Sequence, residues 1–467
     1  QTPDVVRTGT CQKCHNDMVF NTHTRSGRIS MEMCVLCHNP QSFDPNGESL
    51  EMGVMVHRIH MNSSLPSVVA GAKFEYRGKN YAKTIYSADK RECATCHEAG
   101  SAAKQADFAF HKPTRAACGS CHDNVDFATG VNHVNLPQVS DNQCALCHIP
   151  QGELDFDASI IGAHRIPRQS PSLEGVVFDI LEVVDGSAGK KPTVVFTVKD
   201  KAGKPLTVAS MTRVRLTLAG PTSDYTTYVT EDAGKAEMLG DGRFSYTFNA
   251  AIPADAKGSF SVTIEGGNDV KLLAGTAKET VARDRGLNKT FYFSVDGAPV
   301  TKRRTVVTME KCKACHGDFN FHGESRNTTE YCVTCHNPLK VSADYKHTVE
   351  FKVMIHRIHA GTSQDIPYDF GATRLYSQTV FPSDLANCSA CHVNNSHLLP
   401  LKQSLMPVLD PTGRLSQAPG LTAACISCHS SERAVSHTQA NTSSLGESCD
   451  VCHSSGKQFS IERVHAR

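Results

Sequence analysis

The chain has 467 residues, a length that predicts roughly three domains, and its 48 Lys and Arg nearly balance its 47 Asp and Glu to a formal net charge of +1. It contains 39% hydrophobic residues, no tryptophan and no stretch of about 18 apolar residues, so no membrane-spanning helix is predicted. All 20 cysteines belong to one repeated motif that ends in histidine, which excludes a disulfide framework and argues against zinc ribbons.

The repeated motif is CxxCH, and it occurs ten times. Two thiols three positions apart lie on one side of a helical turn and can bond one edge of a haem, while the next histidine faces the iron. We therefore expect ten covalently attached c-type haems, each with its iron, and a protein exported from the cytoplasm. The motifs are Cys11, Cys14 and His15; Cys34, Cys37 and His38; Cys93, Cys96 and His97; Cys118, Cys121 and His122; Cys144, Cys147 and His148; Cys312, Cys315 and His316; Cys332, Cys335 and His336; Cys388, Cys391 and His392; Cys425, Cys428 and His429; Cys449, Cys452 and His453.

The motifs form two sets of five, in residues 11–148 and 312–453, and the two sets align. Their first cysteines are separated by similar intervals, as in Cys11 and Cys312 or Cys118 and Cys425, which indicates a duplicated pentahaem module. Histidines outside the motifs also repeat, and we expect them to be the second axial ligands of bis-histidine haems. The matched histidines are His23 and His322, His57 and His356, His60 and His359, His133 and His437, and His164 and His465.

The sequence HRIH occurs in both halves and carries four of these histidines, His57, His60, His356 and His359. Residues three apart on a helix face the same side about one turn apart, so each can serve a different, closely packed haem. The remaining histidines are His111, His347 and His397. Their counterpart positions hold no histidine, and we interpret them as ordinary surface or core residues.

The segment from Arg165 to Thr308 contains neither cysteine nor histidine and has the pattern of an all-β domain. Short β-branched and aromatic runs alternate with turn sequences such as LGDGR, which predicts an antiparallel sandwich or small barrel of Greek-key type. We interpret it as a spacer that fixes the haem modules. The predicted strands are 176–184, 193–198, 214–218, 225–230, 244–248, 260–264 and 290–295.

The predicted fold is thus a multihaem cytochrome c with three parts. Two mostly irregular or helical pentahaem modules, 1–168 and 301–467, flank an antiparallel β domain at 169–300, which is a Greek-key, split-barrel or sandwich fold. Each module has about 33 residues per haem, too few for an ordinary apolar core. The porphyrins are therefore expected to form the core, close enough together for electron hopping.

The haems change the charge of the protein. Each brings two propionates, so by simple counting the loaded protein carries about −9 when oxidised and about −19 when reduced. Nucleic acid is therefore not expected as a partner. Bis-histidine ligation keeps reduction potentials low relative to histidine–methionine haems.

The sequence resembles the OmcA/MtrC family of decahaem cytochromes from the outer surface of metal-respiring bacteria. The resemblance lies in RRTVV, KCKACHGDF, YCVTCHNPL, FKVMIHRIHAG, LTLAGPTSDY and AIPADAKGSFSVTIEG, and in the ten motifs. It implies split-barrel β domains alternating with pentahaem domains, and haems in a staggered cross. It also implies electron transfer from a porin-embedded cytochrome complex, or other cytochromes, to extracellular metal oxides, flavins or electrodes, at the outer membrane surface or outside the cell.

The chain departs from the family pattern in three ways. It begins directly at the first pentahaem module, has no spare cysteine for the disulfide of some members, and lacks an N-terminal lipobox cysteine. It opens at Gln1 without a start methionine or a signal-type segment, so a processed or truncated product is expected.

Three functions are compatible with a chain that carries ten haem-attachment motifs. The first is an electron conduit with saturated haems and no general acid or base. The second is a multihaem reductase of a small molecule, which needs one open iron; all ten motifs end in histidine, and the second ligands suffice. The third is a subunit of a haem filament, for which no interlocking arm is evident.

Overall fold

The computed structural model describes residues 3–18, 27–98 and 101–466. In these ranges no helix is long and apolar enough to cross a membrane. The helices are short; two of them, Met52–Met61 and Phe351–Ala360, reach ten residues. The other α-helices are Thr8–His15, Met31–Cys37, Pro66–Val69, Phe108–His111, Arg115–Gly119, Cys144–Cys147, Ile160–Ala163, Met309–His316, Thr329–Cys335, Gly420–Ile426, Glu432–Ala440, Asp450–His453 and Ile461–Val464.

The CxxCH motifs lie at helical turns. Most overlap α-helices, whereas the third and eighth begin in the 3-10 turns Cys93–Thr95 and Cys388–Ala390. A helical turn places both thiols of a motif on one side of the backbone. Motifs at corresponding positions in the two halves therefore have the same backbone form.

The two HRIH sequences lie on the ten-residue helices. Each helix is capped by a glutamate, since the side chain of Glu51 accepts a hydrogen bond from the Val54 amide and that of Glu350 from the Val353 amide. The carboxylates satisfy amides of the first turn that have no partner inside the helix. The same cap thus begins the same helix in both halves.

The strands fall into two antiparallel sheets and four short hairpins. The strands are β1 Glu75–Tyr76, β2 Lys79–Asn80, β3 Val177–Val184, β4 Thr193–Lys199, β5 Arg213–Gly220, β6 Thr227–Asp232, β7 Glu237–Gly240, β8 Arg243–Thr247, β9 Ser259–Leu272, β10 Thr280–Arg285, β11 Lys289–Ser294, β12 Asp369–Phe370, β13 Arg374–Leu375, β14 Val408–Leu409, β15 Gln417–Ala418, β16 Thr442–Ser443 and β17 Gly446–Glu447. One sheet has the order β3-β4-β8-β7; the other has the order β10-β9-β5-β6, with β11 also paired to β9.

The sheets β3-β4-β8-β7 and β10-β9-β5-β6 enclose the largest apolar core of the described residues. Phe196 and Phe244 from the first sheet pack with Leu216, Val262 and Ile264 from the second. Alternating burial along β4 turns one face of the strand to this core. The antiparallel β region predicted from the sequence is thus present.

The long strand β9 pairs with β11 through its first half and with β10 through its second. Between the two lie Gly266 and Gly267, both at positive φ. A Cβ at Gly266 would lie 2.1 Å from the Arg213 carbonyl oxygen, and one at Gly267 2.0 Å from that of Asp284. Only glycine fits this close approach of three backbones.

The β domain is joined to the second half by buried polar contacts. The Tyr331 hydroxyl lies 2.8 Å from Thr217 Oγ1. The amides of Asn288 and Asn327 donate to each other's side-chain oxygens, at 2.9 and 2.8 Å. These contacts fix the helix Thr329–Cys335, which carries the seventh motif, against the sheet.

Ser431 caps the helix Glu432–Ala440, which carries His437, because its Oγ accepts from the Ala434 amide at 3.3 Å. We expect Ser431→Ala to lower the free energy of unfolding by about 1 kcal/mol, the usual cost of losing an N-cap. Urea titration followed by far-ultraviolet circular dichroism measures it. The control is Ser404→Ala, at an exposed position outside any helix or strand; equal effects from both substitutions would contradict the capping role.

Candidate haem-binding centres

The motif cysteines are partly or fully exposed residues that form no disulfide bonds. Desolvation raises the pKa of Cys11, Cys121 and Cys312 to about 11, so these thiols are protonated at neutral pH. Their accessible positions at helical turns suit covalent attachment of a prosthetic group.

The motif histidines of the first half lie opposite other histidine rings. Four such pairs occur in the described part of this half, with ring centroids 6.0 to 6.1 Å apart. The pairs are His15 with His60, His97 with His57, His122 with His164, and His148 with His133.

The second half repeats the arrangement, with ring centroids 6.0 to 6.2 Å apart. Where the first half is described, each pair corresponds to the pair at the matching motif. The pairs are His316 with His359, His336 with His322, His392 with His356, His429 with His465, and His453 with His437.

The uniform spacing has a simple chemical meaning. Two metal–nitrogen bonds of about 2 Å, plus about 1 Å from each nitrogen to its ring centre, span roughly 6 Å across one metal atom. Hydrogen-bonded or stacked imidazoles have no reason to repeat this one separation. The ring pairs therefore fit the two axial ligands of a haem iron.

Backbone carbonyls orient many of the paired rings. The Nδ1 atoms of His60 and His359 lie 2.8 Å from the carbonyl oxygens of Val56 and Ile355, one turn back on their helices. His336 Nδ1 bonds the Val349 carbonyl in the same way, at 2.7 Å. Because Nδ1 donates, Nε2 is left unprotonated and able to bind a metal.

The surroundings keep the paired imidazoles neutral. Desolvation lowers the pKa of His57, His316, His356 and His392 to about 4. At neutral pH these rings are therefore uncharged, which is the form of histidine that coordinates iron.

The histidines interpreted as ordinary residues lie outside the ring pairs. His347 packs against Tyr368 and Phe370. His397 packs beside His392, with ring centroids 5.4 Å apart, although His392 already faces another ring. His111 lies 4.0 Å from an Asp107 carboxylate oxygen. The predicted ligand His23 lies outside the described residues.

The first motifs of the two halves contact each other. Cys14 Sγ lies 3.5 Å from the Ala314 carbonyl oxygen, and Cys315 Sγ lies 3.5 Å from that of Lys13. His15 Nδ1 bonds the Pro382 carbonyl at 3.0 Å, and the ring of His316 bonds the Ser87 backbone in return. Each half thus orients the first motif histidine of the other.

The residues present fit haem rather than a bare metal ion. Within the described ranges, no group of three or more His, Cys, Asp or Glu side chains is placed to hold a metal ion. The rings instead come in twos, as a macrocycle that supplies its own four ligands requires. Apolar side chains such as Leu36 and Leu146, inside two motifs, are about three-quarters exposed and offer contacts for a porphyrin.

Sequence reasoning missed the arginine between the histidines of each HRIH. Arg357 is fully buried, whereas Arg58 pairs at 3.6 Å with Glu48 and with Asp123. A charged residue on the predicted buried face of an amphipathic helix was the available signal.

Comparison with known proteins adds a family to this geometry. The model of the family described as outer membrane cytochrome MtrC/MtrF-like, domains II/IV, matches residues 3–159 and 304–466, which are more than half of the chain. The chain is also similar to the multihaem cytochrome MtrC of Shewanella baltica strain OS185. The two are 29% identical over 145 residues, which are 31% of this chain but only 18% of that protein.

Two solved structures share the fold. The crystal structure of MtrC from Shewanella baltica OS185 matches with a TM-score of 0.68 and 18% identity, covering 97% of this chain and 75% of that one. The outer membrane decahaem cytochrome OmcA matches with a TM-score of 0.69 and 21% identity, covering 100% of this chain and 75% of that one. The β sheets and helical regions described above therefore have the architecture of these cytochromes.

Proposed function

The chain belongs to the MtrC/MtrF-like family of outer membrane cytochromes, and from that premise we propose that it carries ten c-type haems and conducts electrons between protein partners and extracellular acceptors. The donors proposed are an outer-membrane porin-cytochrome complex or other cytochromes. The acceptors proposed are metal oxides or flavins, and the place of action is the outer membrane surface or the extracellular space.

The observation that carries this proposal is the set of nine ring pairs in the described residues, each of which joins one motif histidine to one other histidine. It supports a specific ligand for each motif. In motif order, the proposed second ligands are His60, His23, His57, His164, His133, His359, His322, His356, His465 and His437. The second assignment rests on the repeat, because His322 faces His336 at the matching seventh motif.

Under this proposal the protein's side chains attach each haem, occupy the free coordination positions of its iron and are themselves held in orientation by backbone carbonyls. The cysteines would hold a haem through two thioether bonds at each site, and the paired imidazoles would bind its iron and exclude exogenous ligands. The carbonyls bonded to Nδ1 hold the rings in place. The haem iron, when bound, supplies one-electron chemistry between its ferric and ferrous states.

Contacts between the halves support one continuous path. The helices Thr8–His15 and Met309–His316 touch through the Cys14 and Cys315 side chains. This contact brings the first and sixth sites together, so the two sets of five sites meet at one junction. The β domain lies outside this junction and holds the second half through Tyr331 and Asn327.

A small-molecule reductase would need an iron with one open face. Each motif histidine except His38 faces a second ring within the described residues, and the partner proposed for His38 lies outside them. This geometry favours a conduit over a reductase. No contact in the described residues points to a filament subunit.

The test combines haem counting, low-temperature EPR of the oxidised protein and carbon monoxide addition to the reduced protein. We expect ten haems per chain, low-spin signals throughout and no carbon monoxide adduct. Oxidation of the reduced protein by a soluble flavin, followed by stopped-flow absorbance, should return all ten sites to the ferric state. A stoichiometric high-spin signal with carbon monoxide binding would overturn the saturated conduit and favour the reductase.

A further inference from the structure

The two HRIH helices hold their arginines in different electrostatic surroundings. In the first half, Arg58 Nη1 lies 3.6 Å from Asp123 and its Nη2 lies 3.6 Å from Glu48. Asp123 directly follows His122 of the fourth motif, and its side chain is 8% exposed. The charge of Arg58 is therefore offset beside the fourth site.

In the second half the corresponding arginine has no such partner. Arg357 has no exposed surface, and its Nη2 donates to the carbonyls of Ile366 and Pro367. Its Nε and Nη1 are buried without a hydrogen-bond partner, and it forms no ion pair with any carboxylate of the described residues. A guanidinium stays charged at every accessible pH, so this is a buried cation without a carboxylate at ion-pair distance.

Aligning the two halves shows which residues take the places of Glu48 and Asp123 in the second half. Glu48 corresponds to His347, because both precede the strand-like segment that bonds the second or seventh motif histidine through Leu50 or Val349. Asp123 corresponds to Ser430, because each directly follows a motif histidine and accepts from a backbone amide after HRIH. Both acidic residues are thus replaced by residues without negative charge.

The ninth motif is the site that this cation faces. The helix Phe351–Ala360 packs on Gly420–Ile426 through Val353, Ala423 and Ile426. Ser430, which directly follows the ninth motif's His429, accepts from the Asp365 amide, next to the Ile366 and Pro367 carbonyls that bind Arg357. The two halves therefore differ in the charges that the protein itself places beside this helix.

Other charges near the two arginines are weaker or already engaged. Asp410 is buried and its carboxylate attracts Arg357, but from beyond ion-pair distance, and its oxygens accept from Thr412, Arg414 and Leu415. Asp365 is exposed and screened by solvent. In the first half, Lys90 also faces the fourth motif, where it adds to the charge that Asp123 and Glu48 offset.

We infer that Arg357 is an electrostatic tuning residue of the ninth site: its charge, which lacks the two close carboxylates of its counterpart Arg58, raises the reduction potential of the haem attached at Cys425 and Cys428. A buried positive charge stabilises the state that has gained an electron, and the low effective dielectric of the interior strengthens the interaction. The inference rests on the proposed haem sites. It gives the two halves, otherwise built alike, different energy profiles along the electron path.

The test restores the lost carboxylate and keeps the arginine, using Ser430→Asp in the full haem-loaded protein. We expect one low-spin component to become harder to reduce by about tenfold in its one-electron equilibrium constant, or 59 mV, as for one unit charge in a protein interior. Redox titration followed by EPR measures it. Arg357→Gln should shift the same component in the same direction, and the reciprocal Asp123→Ser should make one component of the first half easier to reduce.

A ligand variant identifies the ninth component. His465→Met should raise the potential of that site, because methionine–histidine ligation favours the reduced state. Ser430→Asp in this background should then move the displaced component back. If His465→Met displaces no component, the proposed ligand assignment fails. If it displaces one component that Ser430→Asp leaves unchanged, the tuning role of Arg357 is wrong.

Discussion

On the proposed ligand assignment, replacing His356 with alanine is expected to open one haem iron to exogenous ligands. The His356 ring centroid lies 6.1 Å from that of His392, the motif histidine of the eighth site. Its removal leaves that iron with one axial ligand, because the other ring near His392, that of His397, lies 5.4 Å from it, closer than two rings bound to one metal atom. The oxidised variant should show a high-spin EPR signal of one site per chain, and the reduced variant should bind one carbon monoxide.

The matched control is His347→Ala. His347 lies on the same half of the chain but packs between Tyr368 and Phe370, away from the ring pairs. It should leave all sites low-spin and without an adduct. Carbon monoxide binding by the His347 variant, or its absence in the His356 variant, would show that the ring pairs do not report ligation. The double variant His356→Ala with His359→Ala should bind two molecules of carbon monoxide, since His359 faces the sixth motif.

Replacing Arg326 with methionine should destabilise the protein by about 3–5 kcal/mol, the usual cost of leaving one partner of a buried ion pair uncompensated. Glu265 on β9 has no exposed surface, and its Oε2 accepts from Arg326 Nε at 2.8 Å. Its other oxygen has no hydrogen-bond partner among the described residues. The carboxylate therefore depends on Arg326 for its stability inside the protein.

Urea unfolding of the variants measures this dependence. The double variant Glu265→Leu with Arg326→Met should recover most of the lost stability, because it removes the buried Glu265 carboxylate together with its partner. Arg283→Met provides the contrast, since Arg283 is half exposed and lies 3.6 Å from Glu324. Its loss should cost about 1 kcal/mol or less. Equal losses from Arg283→Met and Arg326→Met would contradict the buried pair.

The β region shows how far local patterns reach. The predicted strand 193–198 is observed as β4, because β-branched residues alternate there with a buried face. The prediction missed β7, whose four residues are all exposed, and β10, where Arg283 and Arg285 interrupt the apolar pattern. These strands are held by pairing to β8 and β9. Such pairing to a neighbouring strand leaves little trace in the residue types of the strand itself.

The pairing of ligands with the proposed haem sites also goes beyond what the sequence predicts. The repeat identified His57 and His60 as candidate ligands. Because they lie about one helical turn apart, the sequence predicted that each binds a different haem. It could not say which sites. His60 faces His15, upstream, whereas His57 faces His97, downstream. The choice depends on how the chain folds back on both sides of one helix, and residue types alone do not encode that direction.

In each half, the backbone hydrogen-bonds the first motif histidine of the other half, and this bears on how the protein is matured. In the proposed export, a chain threaded outward from its N-terminus presents the proposed haem site at Cys11 and His15 long before residue 382 has emerged. The Pro382 carbonyl that orients the His15 imidazole is therefore the last part of the first site to arrive. Ser87, in contrast, is already in place when His316 appears. Attachment can begin in order along the chain, but the first site is completed only when most of the second half has been exported and folded.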